Sequence, residues 1–182
     1  MISNDEDSIL WVGTINGLNK YDPKTKSNKR FYNENVDNSI SSNFIYDLYS
    51  FDSLLFVGTD LGLSTVNINN NYIEQIDFLK GIEVYNIFEI SGNLCFHTST
   101  GIYKLKNLFT NSFEIIYSGE NLNLKVINNN EFVVWNSESK VDRIFYNNNE
   151  FQVQLLSYES TQKINDINNF KGAYYISSNS GI

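Results

Sequence analysis

The sequence predicts an all-β fold, a β-propeller of four-stranded blades repeating about every 40 residues. Three observations carry that expectation. One motif recurs along the chain, each period divides into four short apolar segments, and the segments are separated by Gly- and Asn-rich turn signals. The motif is clearest in Leu10-Trp11-Val12-Gly13-Thr14-Ile15-Asn16-Gly17-Leu18-Asn19-Lys20-Tyr21-Asp22-Pro23. An apolar run leads into Gly-Thr, a polar turn closes on Gly17, and the apolar pattern resumes until Asp22-Pro23 breaks it. Aligning later copies places Trp11 over Phe56, Cys95, Val134 and Tyr175, at spacings of 45, 39, 39 and 41 residues.

Taken in order, the first unit opens at Met1-Ile2, the tail of an inner strand, and continues through the motif to an outer strand at Lys29-Arg30-Phe31-Tyr32. The second begins at Ile45-Tyr46-Asp47-Leu48-Tyr49. It repeats the motif nearly intact as Leu55-Phe56-Val57-Gly58-Thr59-Asp60-Leu61-Gly62-Leu63 and ends at Tyr72-Ile73-Glu74-Gln75-Ile76. The third runs from Val84-Tyr85-Asn86-Ile87-Phe88 through Leu94-Cys95-Phe96-His97-Thr98 and Gly101-Ile102 to Phe113-Glu114-Ile115-Ile116-Tyr117. The fourth starts at Leu124-Lys125-Val126-Ile127, continues through Val133-Val134-Trp135, and ends at Phe151-Gln152-Val153-Gln154-Leu155-Leu156. It carries Lys140 where the closing glycine belongs, so its turn is expected to differ. A fifth unit, from Ile164-Asn165-Asp166-Ile167 through Tyr174-Tyr175-Ile176, stops after Gly181-Ile182. Inner strands are marked by Leu48, Ile87, Val126 and Ile167, each eight residues before an aligned motif position. The segments are about 4–8 residues long and rich in β-branched and aromatic residues, so no helix is expected. Runs such as Asn69-Asn70-Asn71, Asn128-Asn129-Asn130 and Asn147-Asn148-Asn149 read as turns, because Asn tolerates positive φ and bonds its own backbone. The expected blades are residues 1–36, 37–79, 80–119 and 120–158, with the inner half of a fifth at 159–182; this reads as an incomplete propeller fragment, with a closed four-bladed ring as the alternative.

Composition narrows function. A formal charge of −8 with no clustered Lys or Arg argues against nucleic acid and against direct contact with anionic membranes. One cysteine excludes an internal disulfide and a cysteine-based metal cluster. The start is acidic and has no signal-peptide pattern, and no apolar run approaches the roughly 20 residues of a membrane span.

Individual candidates read as structural. His97, the sole histidine, falls on a strand where stronger copies carry Gly13 and Gly58, and one histidine cannot supply the three or four ligands of a zinc site. Cys95 replaces the motif aromatic and has no identifiable base, so it reads as a small buried hydrophobe. Asp5-Glu6-Asp7 lacks the spacing of a calcium loop and reads as a turn. Trp11, Trp135 and the tyrosines suit sugar stacking in principle, and packing between blades is the stronger reading. No catalytic, metal, cofactor-binding or ligand-binding residue is assigned.

The assembled residues resemble the two-component regulator propeller repeat, which fills the periplasmic sensor region of hybrid two-component histidine kinases. Asn38-Ser39-Ile40-Ser41-Ser42-Asn43-Phe44-Ile45 is similar to that family's inter-blade segment. Leu10-Trp11-Val12-Gly13-Thr14 with Gly17-Leu18-Asn19-Lys20-Tyr21-Asp22 is similar to its blade motif. The Gly-His and Trp-Asp pairs of WD propellers, the Gly-Gly pairs of kelch propellers and the Asp-box of sialidases are absent. The resemblance implies a non-catalytic, periplasmic, ligand-sensing segment with glycan-derived ligands. Its partners would be the rest of its own propeller and downstream sensor and kinase domains. The alternatives are a stand-alone protein-binding scaffold and, behind it, a propeller enzyme acting on polysaccharide.

Overall fold

The computed structural model describes residues 2–4, 9–34, 36–137, 140–156 and 163–179. Among these, sheet 1 consists of β1 (Ile2–Asn4), β2 (Leu10–Thr14), β3 (Gly17–Asp22) and β4 (Ser27–Phe31). Sheet 2 is β5 (Ile45–Phe51), β6 (Leu54–Thr59), β7 (Gly62–Asn67) and β8 (Ile73–Gln75). Sheet 3 is β9 (Val84–Ile90), β10 (Asn93–Thr98), β11 (Gly101–Asn107) and β12 (Ser112–Ser118). Sheet 4 is β13 (Asn123–Asn128), β14 (Glu131–Trp135), β15 (Val141–Asn147) and β16 (Glu150–Leu156), and β17 (Ile164–Phe170) pairs with β18 (Ala173–Ser178). Every pairing is antiparallel between sequence neighbours, the meander of propeller blades.

Sheet faces pack on sheet faces, with one apolar cluster at each of the four junctions. Period 2 divides each second strand between two junctions: Leu55 and Val57 face sheet 1, and Phe56 faces sheet 3. Both faces are covered, so β6 and β14 read as near-continuous apolar runs instead of alternating ones. Trp11, Phe56 and Cys95 are fully buried, as an inter-blade packing position requires.

That rule corrects the sequence alignment of the fourth unit. β14 follows a two-residue turn after β13 as β10 follows one after β9, which sets Glu131 against Asn93 and Val133, not Val134, against Cys95. Val133 faces forward with Trp135, whereas Val134 faces back toward sheet 3. The spacings become 45, 39, 38 and 42. A one-residue slip turns every side chain to the opposite face, and Val133-Val134 are identical, so only the junctions distinguish them. Val126 is likewise displaced: it is 40% exposed beside a bulge at Ile127, and Leu124, partly buried, packs instead against the junction with sheet 3.

A short 3-10 turn at Asp77–Leu79, unexpected from the strand pattern, anchors buried Leu79 after β8. The Asn-rich turns are as expected: six of the ten non-glycine residues with positive φ among the described residues are Asn38, Asn71, Asn111, Asn121, Asn148 and Asn149. Asp5-Glu6-Asp7 and Gly181-Ile182 lie outside the described residues.

Candidate functional site

The repeated motif is consumed by its own hairpin. The hydroxyls of Thr14, Thr59 and Thr98 donate to the carbonyls of Gly17, Gly62 and Gly101 at 2.9, 2.8 and 2.9 Å, and each accepts an N–H from within the turn. The closing glycine is required twice over: Gly101 has φ +146°, and a Cβ there would lie 2.3 Å from the Tyr117 carbonyl oxygen. In sheet 4 the same hairpin is longer. Trp135 pairs with Val141, and Asn136 replaces the threonine, its side chain accepting the Lys140 N–H at 3.3 Å. The Lys140 side chain pairs with buried Asp142 at 3.0 Å.

The residue before that threonine measures how closely successive sheets approach. A Cβ on Gly13 would meet Ile45 Cγ2 at 2.6 Å, and one on Gly58 would meet the Val84 carbonyl oxygen at 2.7 Å. His97 and Trp135 occupy the equivalent places at the next two junctions, both 5% exposed. The His97 ring lies edge to face with Tyr85 at 5.3 Å, and Nδ1 is 3.3 Å from Asn86 Oδ1. Burial lowers its pKa to about 4, outweighing the Leu122 backbone beside it, so the imidazole is neutral at pH 7. Burial also pushes the Cys95 thiol up to about 12, which leaves it no nucleophilic thiolate.

Tyrosine hydroxyls bridge the sheets. Tyr49 donates to Glu89 at 3.1 Å, Tyr174 to Glu131 at 2.8 Å, and Tyr117 to Asp142. Two of these carboxylates are also ion-paired, Asp142 with Lys140 and Glu131 with Arg143. Asp47, buried on β5, accepts the Ile87 N–H of the next sheet at 2.7 Å, and burial raises its pKa. A fourth bridge joins the starts of β5 and β9, where Tyr46 and Tyr85 both donate to Glu83. The sequence signal for this cluster is the 39-residue recurrence of Tyr46 as Tyr85. Glu83 and Phe44 carry none.

The inter-blade segment shapes a surface cleft. Asn33 Nδ2 donates to the Ile40 and Ser41 carbonyls at 2.8 and 2.7 Å, Asn38 Oδ1 accepts the Ile73 N–H at 2.7 Å, and Gln75 Nε2 donates to the Ser39 carbonyl at 3.0 Å. These bonds hold Asn33 and residues 38–41 alongside β8 and leave a cleft of about 810 Å³ between them. Val36, Leu61 and Tyr72, each more than half exposed, give it apolar surface, and Asp37, Glu74 and Asp77 face it with Lys80 as its cation. Trp11 and Trp135 are in the core, whereas Tyr72 is 59% exposed. Among the described residues no group of His, Cys, Asp and Glu side chains is arranged to hold a metal ion, and no helix is long and apolar enough to cross a membrane.

The fold defines the class: antiparallel four-stranded blades of a β-propeller. No protein-family model and no curated protein sequence matches the chain. Solved structures do. The extracellular domain of the hybrid two-component system BT4673 from B. thetaiotaomicron superimposes with a TM-score of 0.71 at 18% identity, over 99% of this chain and 26% of that one. The corresponding domain of the B. thetaiotaomicron system BT3049 gives 0.70 at 17% identity, over 97% and 27%. PorZ, a surface component of the type-IX secretion system of Porphyromonas gingivalis, gives 0.58 at 12%, over 90% and 23%. The chain therefore spans about a quarter of the length of these structures. At such identities the likeness is one of fold.

Proposed function

We propose that this chain is a non-catalytic, ligand-sensing propeller segment of a two-component signalling protein, working outside the cytoplasm or in the periplasm. The observation that supports it best is the superposition of nearly the whole chain on extracellular domains of two hybrid two-component systems, together with the blade and inter-blade motifs at Leu10–Thr14 and residues 38–45. Its partners are the rest of its own propeller and the downstream sensor and kinase domains. Signalling then proceeds by a shift in population between arrangements of these parts, with no chemistry in the propeller.

The ligand is a neutral glycan fragment. An exposed tyrosine beside a row of carboxylates suits stacking under a sugar ring and hydrogen bonds from its hydroxyls. Three carboxylates against one lysine disfavour uronates and sulfated sugars. Thermal-shift titration with a panel of neutral oligosaccharides tests the reading. Near saturation a binder raises Tm by about 5–10 °C, and Tyr72→Ala abolishes the shift. A panel without any shift, or an equal shift in Tyr72→Ala, overturns it.

A further inference from the structure

At the starts of β5 and β9 the strand pairing skips one residue in each sheet. Ile45 pairs with Thr59 and Asp47 with Gly58, leaving Tyr46 as the extra residue; Val84 pairs with Thr98 and Asn86 with His97, leaving Tyr85. Such bulges re-aim a side chain out of the alternating pattern. Here they bring two tyrosines from adjacent sheets together, with ring centroids 5.5 Å apart. Phe44 extends the row at 5.3 Å from Tyr46, and the His97 ring closes it at 5.3 Å from Tyr85.

Both tyrosine hydroxyls donate to the two oxygens of Glu83, fixing the carboxylate beside the rings. The Tyr117–Asp142 and Tyr174–Glu131 bridges each include a lysine or arginine, but Glu83 makes no ion pair among the described residues. His97 supplies no positive charge either, being neutral. Asp60, in the β6–β7 turn, adds to the negative field at Tyr46, and its Oδ1 is buried without a hydrogen-bond partner. Its backbone N–H donates to the Phe44 carbonyl at 3.3 Å, tying that turn to the aromatic row. Phe44 is 42% exposed, and Tyr46, Glu83 and Tyr85 are partly exposed, so the row opens to solvent.

We infer that Phe44, Tyr46 and Tyr85 around Glu83 form a binding site for an organic ammonium group. Aromatic faces carry negative potential that attracts a cation within about 6 Å of the ring. A carboxylate held between two aromatic rings without a counter-ion supplies the charge partner that the Tyr117–Asp142 and Tyr174–Glu131 bridges already contain. The ammonium is carried either on a small free amine or on an amino sugar, and the site is separate from the cleft beside β8.

The test is NMR titration of the chain, reading the ring resonances of Tyr46 and Tyr85, with four probes. These are tetramethylammonium, its neutral isostere 3,3-dimethylbutan-1-ol, glucosamine and N-acetylglucosamine. Saturable shifts are expected with tetramethylammonium for a bare amine site, and with glucosamine as well if the ammonium can sit on a sugar. Both neutral probes leave the rings unmoved. Glu83→Gln weakens cation binding on the order of tenfold, and Tyr46→Leu does the same by removing a ring. Unchanged resonances from Phe132 and Val134, in the core between sheets 3 and 4, show that each variant is folded. Two results overturn the inference: no saturable shift with either cation, or neutral probes binding as well as charged ones. N-acetylglucosamine binding here as well as glucosamine would exclude the ammonium site while leaving the neutral-glycan reading of the cleft, which Tyr72 reports, to stand or fall separately.

Discussion

His97 makes the fold acid-sensitive through one identifiable group. Its imidazole is buried at the junction of sheets 3 and 4, and its pKa falls from 6.5 to about 4. A base whose folded pKa is depressed contributes full stability above its unfolded pKa and loses it as pH falls toward the folded one. With these two values, linkage sets the loss at about 2 kcal/mol by about pH 5 and about 3 kcal/mol once both forms are protonated. Asp47 acts in the opposite sense, because its raised pKa costs stability as pH rises through it. The histidine contribution therefore has to be isolated by difference. His97→Gln cannot titrate, and no other histidine exists in the chain. Urea unfolding at about pH 7.5 and pH 5 should show the native protein losing about 2 kcal/mol more than the variant between the two conditions. Equal losses in the two proteins would refute a buried neutral imidazole at this junction.

Gly101→Ala should lower unfolding free energy by at least about 3 kcal/mol, since it combines a φ that L-residues avoid with a Cβ 2.3 Å from the Tyr117 carbonyl oxygen. Gly92→Ala, at φ +77° in open space, should cost only about 1 kcal/mol in the same urea titration, and equal costs would sink the steric argument. Tyr117→Phe removes a donor to Asp142, which is 3% exposed, and should cost about 1–2 kcal/mol while leaving the Lys140 pair in place. Cys95 should resist a thiol reagent such as dithionitrobenzoate at about pH 8 until urea unfolds the chain, because burial holds its thiol protonated. Rapid labelling of the folded protein would contradict its place in the core.

Much of the architecture could be read from the chain because propeller blades write the same local instructions repeatedly. Thr14, Thr59 and Thr98, each followed three residues later by a glycine, encode a hairpin whose bonds are all local. The tight Gly-to-carbonyl approaches reveal why those glycines recur. The fourth unit shows where local reading stops. Val133 and Val134 are chemically identical, and only the packing of sheet 3 on one side and the β17–β18 pair on the other tells which face of β14 each occupies. The cleft has no mark in the sequence, and of the aromatic row only the recurrence of Tyr46 as Tyr85 does. Both are assembled from segments about 40 residues apart, Asn38 with Ile73 and Tyr46 with Glu83.

By itself, the sequence determined that this protein is built of four-stranded units at a period near 40, with turns at the glycines and asparagines, because strand alternation and turn geometry depend on residues a few positions apart. Packing between sheets sets which face of each strand meets which neighbour, why the position of Gly13 and Gly58 becomes His97 and then Trp135, and where carboxylates gather beside exposed rings. Those properties belong to junctions between sheets, and a junction is created by residues that share no local signal until the blades are packed together.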